Sequence, residues 1–188
     1  KAAIEDFTRA ININTEFDYA YFKRGNVYRK LKNYDAAIKD FTYAIKINPN
    51  YDAAFYNRGN IYHILKNFEV AIEDFSSAIN INPNYDDAYL NRGVAYYLLG
   101  DEKAAITDYN SAIRINPNNE NAIFNRGYAY TMTKNYSSAI SDFSSVIKLN
   151  PNYGKAYQMR GYAKEKAGQY YETDYKKACE LGIKECCN

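Results

Sequence analysis

Apolar positions in this chain fall at helical intervals, stop, and start again. Ala37, Ile38, Phe41, Ala44 and Ile45 mark one face every three to four residues, the spacing of an amphipathic helix. The same stripe returns at Ala71, Phe75 and Ala78, and its alanine again at Ala105 and Ala139. A second set precedes each stripe. Tyr21, Gly25 and Tyr28 have helical spacing too, so the stretch from Tyr19 to Leu31 is expected to be a first helix. Asn33, Asn67 and Asn135, with Gly100 one place earlier, suit a left-handed turn between the two helices. The second helix is expected to start near Asp35 or Glu69, where an acidic first turn favours a helix N-terminus.

The punctuation is periodic. Arg24-Gly25 returns as Arg58-Gly59, Arg92-Gly93, Arg126-Gly127 and Arg160-Gly161, always at the same interval. Asn48-Pro49-Asn50 returns at 82–84, 116–118 and 150–152, and these use all four prolines. Proline lacks a backbone donor and biases the preceding residue away from helix, so each Asn-Pro-Asn ends a unit. A fixed period of about 34 residues predicts a stack of helix–turn–helix units in which each touches mainly its neighbours. The pattern divides residues 1–188 into a single array. Residues 1–17 are a partial repeat, 18–51, 52–85, 86–119 and 120–153 are full repeats, and 154–188 are a degenerate one. Ala3-Ile4-Glu5-Asp6-Phe7 matches Ala37-Ile38-Lys39-Asp40-Phe41, so the first segment reads as the second half of a unit belonging to a longer array.

Two details carry expectations of their own. Gly25, Gly59, Gly93, Gly127 and Gly161 lie mid-helix, where glycine costs about 1 kcal/mol against alanine. A close helix approach is therefore expected, with Ala37, Ala71, Ala105 and Ala139 as partners. In the last repeat Tyr170-Tyr171-Glu172 runs straight into Thr173-Asp174-Tyr175, and the Ala-Ile pair is absent. Two missing residues rotate a helical stripe by about 200°, unless the last helix starts late.

Composition narrows the function. The net charge is +2 and both signs are spread along every unit, which argues against a nucleic-acid groove or a membrane patch built on bulk charge. No stretch approaches the roughly 18 apolar residues of a membrane span. Cys179, Cys186 and Cys187 lack zinc-site spacing and read as free thiols of a reducing compartment such as the cytoplasm. His63 has no acidic or nucleophilic partner at motif spacing. With no nucleophile–base pair, metal cluster or phosphate loop, neither catalysis nor a cofactor or metal is expected.

The small-aromatic pair Ala54-Phe55 with Gly59, Tyr62, Ala71, Phe75, Ala78 and Pro83 resembles the tetratricopeptide repeat, and the likeness covers nearly the whole chain. It implies an all-α fold, a right-handed superhelical solenoid of antiparallel helix pairs. It implies too that the first helices line a concave groove that holds an extended peptide or a partner helix. Carried over position by position, Lys23, Asn57, Asn91, Asn125 and Met159 stand two before the glycine, and Asn26, Asn60, Val94, Tyr128 and Tyr162 one after it. The candidate ligand-binding residues are Lys23, Asn26, Asn57, Asn60, Asn91 and Asn125. Asparagine has both a donor and an acceptor, so a row of them can bracket peptide amides irrespective of side-chain identity. Phe22, Tyr56 and Phe124 are expected to floor the groove. The carboxylate clamp of chaperone adaptors is not matched, because Phe22, Tyr56, Asp87 and Asn121 stand where basic residues belong.

One departure stands out. Where the family commonly has leucine before the glycine, this chain has Arg24, Arg58, Arg92, Arg126 and Arg160, and an aspartate recurs in every second helix. The favoured reading is an ion-pair ladder between neighbouring repeats: Asp6–Arg24, Asp40–Arg58, Asp74–Arg92, Asp108–Arg126 and Asp142–Arg160. Pairing inside a repeat, as in Arg58–Asp74, is the rival. The expected function is a scaffold that binds a protein or peptide segment in its groove, with no nucleic acid and no membrane span. The rivals are a spacer that self-associates through exposed terminal repeats, and the substrate-binding arm of a larger enzyme.

Overall fold

A computed structural model describes residues 2–187. Among these the chain forms eleven α-helices and no strand. They are α1 (Ala2–Ile13), α2 (Asp18–Lys30), α3 (Tyr34–Ile47), α4 (Asp52–Ile64), α5 (Phe68–Ile81), α6 (Asp86–Leu98), α7 (Glu102–Ile115), α8 (Glu120–Met132), α9 (Tyr136–Leu149), α10 (Gly154–Lys166) and α11 (Glu172–Glu180), followed by a 3-10 turn, Lys184–Cys186. The chain divides into two compact units, Lys1–Ala95 and Tyr96–Asn188. In the first, α2 packs on α3 and α4 on α5; in the second, α8 packs on α9 and α10 on both α9 and α11.

The turn is built at Gly100 as the sequence suggested, and in three other hairpins one residue earlier than the expected asparagine. The left-handed residues are Lys32 (φ 60°), Lys66 (φ 62°), Gly100 (φ 83°) and Lys134 (φ 60°). Asn33, Asn67 and Asn135 instead cap the second helices, each accepting a hydrogen bond from the backbone N–H three residues on. Asp101 does the same for α7. A side-chain oxygen at that place satisfies an N–H that the helix itself leaves open.

The Asn-Pro-Asn segments are tied back to their own repeats. The Asn48 amide donates to Asp18 at 3.0 Å, Asn82 to Asp52 at 3.1 Å, and Asn150 to Glu120 at 3.1 Å. The acceptor in each case lies in the first turn of the hairpin's first helix. The other end of each asparagine receives the backbone N–H two residues on, within the turn.

The second helices α3, α5, α7 and α9 each bury an aromatic ring: Phe41, Phe75, Tyr109 and Phe143 are wholly or almost wholly buried. These rings, not the alanines, lie against the glycines. A Cβ on Gly25 would stand 2.9 Å from the Phe41 ring, one on Gly59 2.9 Å from Phe75, and one on Gly127 3.0 Å from Phe143. Ala37, Ala71, Ala105 and Ala139 are fully buried, but the close approach is between glycine and ring. In the last repeat the helix does start late. α11 opens at Glu172, only two residues before Asp174, whereas α9 opens six residues before Asp142. The later start lets Tyr175 meet Gly161, with a Cβ there 2.9 Å from its ring. The thiols also differ from expectation: Cys179 and Cys187 are joined as a disulfide, and Cys186 is free.

Candidate functional site

Arginine and aspartate meet inside four hairpins, α2–α3, α4–α5, α8–α9 and α10–α11, so the ladder between repeats does not form as the favoured reading had it. Arg24 donates through Nε and Nη2 to the two oxygens of Asp40, both at 2.8 Å. Arg58 grips Asp74 at 2.9 and 2.6 Å, Arg126 grips Asp142 at 2.8 and 2.6 Å, and Arg160 grips Asp174 at 3.1 and 2.6 Å. Asp6 pairs with its own neighbour Arg9. The physical reason is reach: the glycine beside each arginine brings the second helix close enough for a two-pronged grip.

The link between repeats is made by the remaining prong. Nη1 of Arg24 reaches Thr8, that of Arg58 reaches Thr42, and that of Arg92 reaches Ser76. Arg126 reaches Asn110 and Arg160 reaches Ser144. Each acceptor sits two residues after the preceding repeat's aspartate, a series of short polar side chains, one to a repeat, that was open to view in the sequence. Burial pushes the Asp174 carboxyl up, but the bonds from Arg160 and Lys164 outweigh it and hold the group below its ordinary range. These contacts are structural; they set the spacing of the first helices, where the candidate binding residues stand.

On that face the predicted residues are all half-buried, and they are not equivalent. The Lys23 ammonium lies over the Tyr19 ring, 4.8 Å from its centroid. Asn26 donates one amide hydrogen to the Phe22 carbonyl and Asn57 one to the Ala53 carbonyl, each a turn back on its own helix. Their side-chain carbonyls and second N–H groups stay available. Asn60 and Asn91 are brought together: the Asn91 amide donates to Asn60 at 2.8 Å and to the Tyr56 hydroxyl at 3.1 Å. Asn125 belongs to α8, in the second unit.

Aromatic rings lie beneath. Phe22 sits between Phe41 at 5.8 Å and Tyr51 at 4.7 Å; Tyr56 sits between Phe75 at 5.9 Å and Tyr85 at 4.7 Å; Phe124 sits between Phe143 at 5.5 Å and Tyr153 at 5.1 Å. Burial raises the phenols of this layer, Tyr51 to about 12 and Tyr85 further, so they act as hydrogen-bonding rings and not as bases. In the second unit the counterparts of Asn26 and Asn60 are Tyr128 and Tyr162, and these line a cleft of about 330 Å³ with Met132, Gln158 and Met159. The Tyr56–Asn60–Asn91 cluster could not be read from the sequence, because its members come from α4 and α6. No group of acidic, histidine or cysteine side chains suited to a metal occurs among the described residues. No helix there is long and apolar enough to cross a membrane.

A face of first helices, backed by glycine-packed hairpins of constant length, defines the tetratricopeptide class. Family profiles for the tetratricopeptide repeat match residues 19–51, 86–119 and 120–153, and a TPR repeat profile matches 59–100. The chain belongs to the tetratricopeptide repeat family, whose fold serves as a protein-interaction scaffold. Among solved structures it is similar to the MamA protein, at 26% identity over 91% of this chain and 94% of that one, with a TM-score of 0.83. It is similar to the C-terminal part of a TPR repeat-containing protein from Cytophaga hutchinsonii, at 26% identity over 97% and 74%, TM-score 0.82. It shares its fold with YrrB, described as a TPR protein with an unusual peptide-binding site, at 21% identity over 96% and 94%, TM-score 0.86. No curated protein sequence matches the chain at a significant level.

Proposed function

We propose that this chain is a protein-interaction module that captures an extended segment along the face of its first helices. The observation that carries the reading is the half-buried asparagine row above an aromatic layer. In the first unit Asn26, Asn57, Asn60 and Asn91 offer amide groups where a peptide backbone needs partners, and the rings of Phe22 and Tyr56 offer apolar area; in the second unit Asn125 and Phe124 offer the same. The peptide-binding site named for YrrB lends support by analogy of fold. Each amide bond contributes about 0.5–1.5 kcal/mol net, so three together are worth about 1.5–4.5 kcal/mol, or ten- to a thousandfold in affinity.

The test is selection of random 12-residue displayed peptides on the full chain, followed by affinity measurement with synthetic copies. Changing Asn57, Asn91 and Asn125 to alanine together is expected to weaken binding at least tenfold. Lys46→Ala, on the second helix α3, is expected to leave it unchanged. Equal binding by the triple variant would move the site elsewhere.

A further inference from the structure

Three repeats set a pair of rings behind the first-helix face. Phe22 meets Tyr51 at 4.7 Å, Tyr56 meets Tyr85 at 4.7 Å, and Phe124 meets Tyr153 at 5.1 Å. A further repeat has Leu90 at the first of these places, and it is buried. In the last hairpin both rings are lost. Gln158 lies one period after Phe124, and Glu185 lies eleven residues after Asp174, as Tyr153 lies eleven after Asp142. Gln158 and Glu185 come together in the wall of the cleft of about 330 Å³, with Tyr128, Met159, Tyr162 and Tyr175. All of these belong to the second unit. The repeat symmetry thus marks the cleft as the place of two missing rings, with a carboxylate and an amide in their stead.

We infer that this cleft receives an arginine side chain of the captured segment, its guanidinium lying among the tyrosine rings and its N–H groups donating to Glu185. This rests on the proposed function of the same face. Charge complementarity selects the occupant. Glu185 has no ion-pair partner among the described residues, and its charge, after burial, helps to raise the neighbouring Cys186 thiol. The other cation at the cleft is already balanced: the Lys166 ammonium lies 5.3 Å from the Tyr162 centroid and 3.6 Å from Glu165. Shape selects arginine over lysine. A guanidinium is flat, so it can take the place of a ring, stack on aromatic faces and grip a carboxylate with two N–H groups. The chain stacks its own arginines in this way, Arg24 over Tyr21 at 5.7 Å and Arg160 over Tyr157 at 5.6 Å. Tyr162 is exposed, so the ring is within reach of a ligand.

The probes are random 12-residue displayed peptides selected on the full chain. Those whose binding falls in Tyr162→Leu are expected to share an arginine at one register. Replacing that arginine by citrulline, its uncharged isostere, should weaken binding to the wild type about fivefold or more, and to Glu185→Gln less than twofold. Lysine at the same register, with the charge but not the plane, should fall between. Glu185 lies exposed on the 3-10 turn, so Glu185→Gln should leave the melting temperature unchanged, which separates lost recognition from unfolding. Equal loss in wild type and Glu185→Gln, or none in either, overturns the assignment. If binding depends on Asn57, Asn91 and Asn125 but on no arginine of the peptide, the groove reading survives and the cleft assignment falls. If no peptide is selected, both fall.

Discussion

Gly59→Ala is the sharpest perturbation of the fold. Alanine should stabilise a mid-helix position by about 1 kcal/mol relative to glycine. Here the added Cβ would lie 2.9 and 3.0 Å from two Phe75 ring carbons and 3.1 Å from the Asp74 Cβ. Phe75 is completely buried and Asp74 is held by Arg58, so neither can retreat freely. Overpacking of a close-fitted core costs about 1–3 kcal/mol, and a contact this short belongs to the upper part of that range. The net expectation is a loss of about 1–2 kcal/mol. In a Phe75→Leu background the offending ring carbons are gone, and the same Gly59→Ala change should become neutral or stabilising. The measurement is native-state hydrogen exchange at amides of α4 and α5, because stability in a repeat stack is local. Stabilisation of the wild type by Gly59→Ala, or identical effects in the two backgrounds, would refute the reasoning.

The left-handed lysines give the opposite sign: Lys66→Gly, at φ 62°, should stabilise its hairpin by about 0.5–1 kcal/mol, read by urea denaturation, whereas Gly100→Lys should destabilise by a similar amount. Arg58→Met strands a buried carboxylate and should cost about 3–5 kcal/mol, most of it recovered in Arg58→Met with Asp74→Leu; a thermal melt series checks the pair. Burial lowers the His63 pKa, so in the window below about 6.5 the unfolded chain binds a proton that the folded one resists. Stability should therefore fall as pH drops through that window, and His63→Gln should flatten the slope of denaturation midpoint against pH.

The period, the helix pairs and the repeat limits were legible because two independent series, Arg-Gly and Asn-Pro-Asn, keep one interval. The same regularity hid the pairing. Arg24 lies almost midway along the chain between Asp6 and Asp40, and a strict period fits either partner equally. Only the backbone geometry, with glycine drawing the hairpin together, selects the second. Likewise Asn33 looked like a left-handed residue, but the cap it supplies required Lys32 to take that conformation instead. The candidate asparagines were legible as a row. Their unequal bonding, and the unpartnered Nε of Arg29, depend on which side chains meet across helices, which spacing along one chain does not encode.

The arginine side chain divides its labour between two kinds of joint. Two prongs lock a hairpin to itself, while the third asks of the preceding repeat only a small polar group, and threonine, serine and asparagine all serve. Such a coupling is generic. A gene encoding it can gain, lose or reorder whole hairpins without redesigning the junctions, so the recognition face is free to diversify while the framework remains interchangeable.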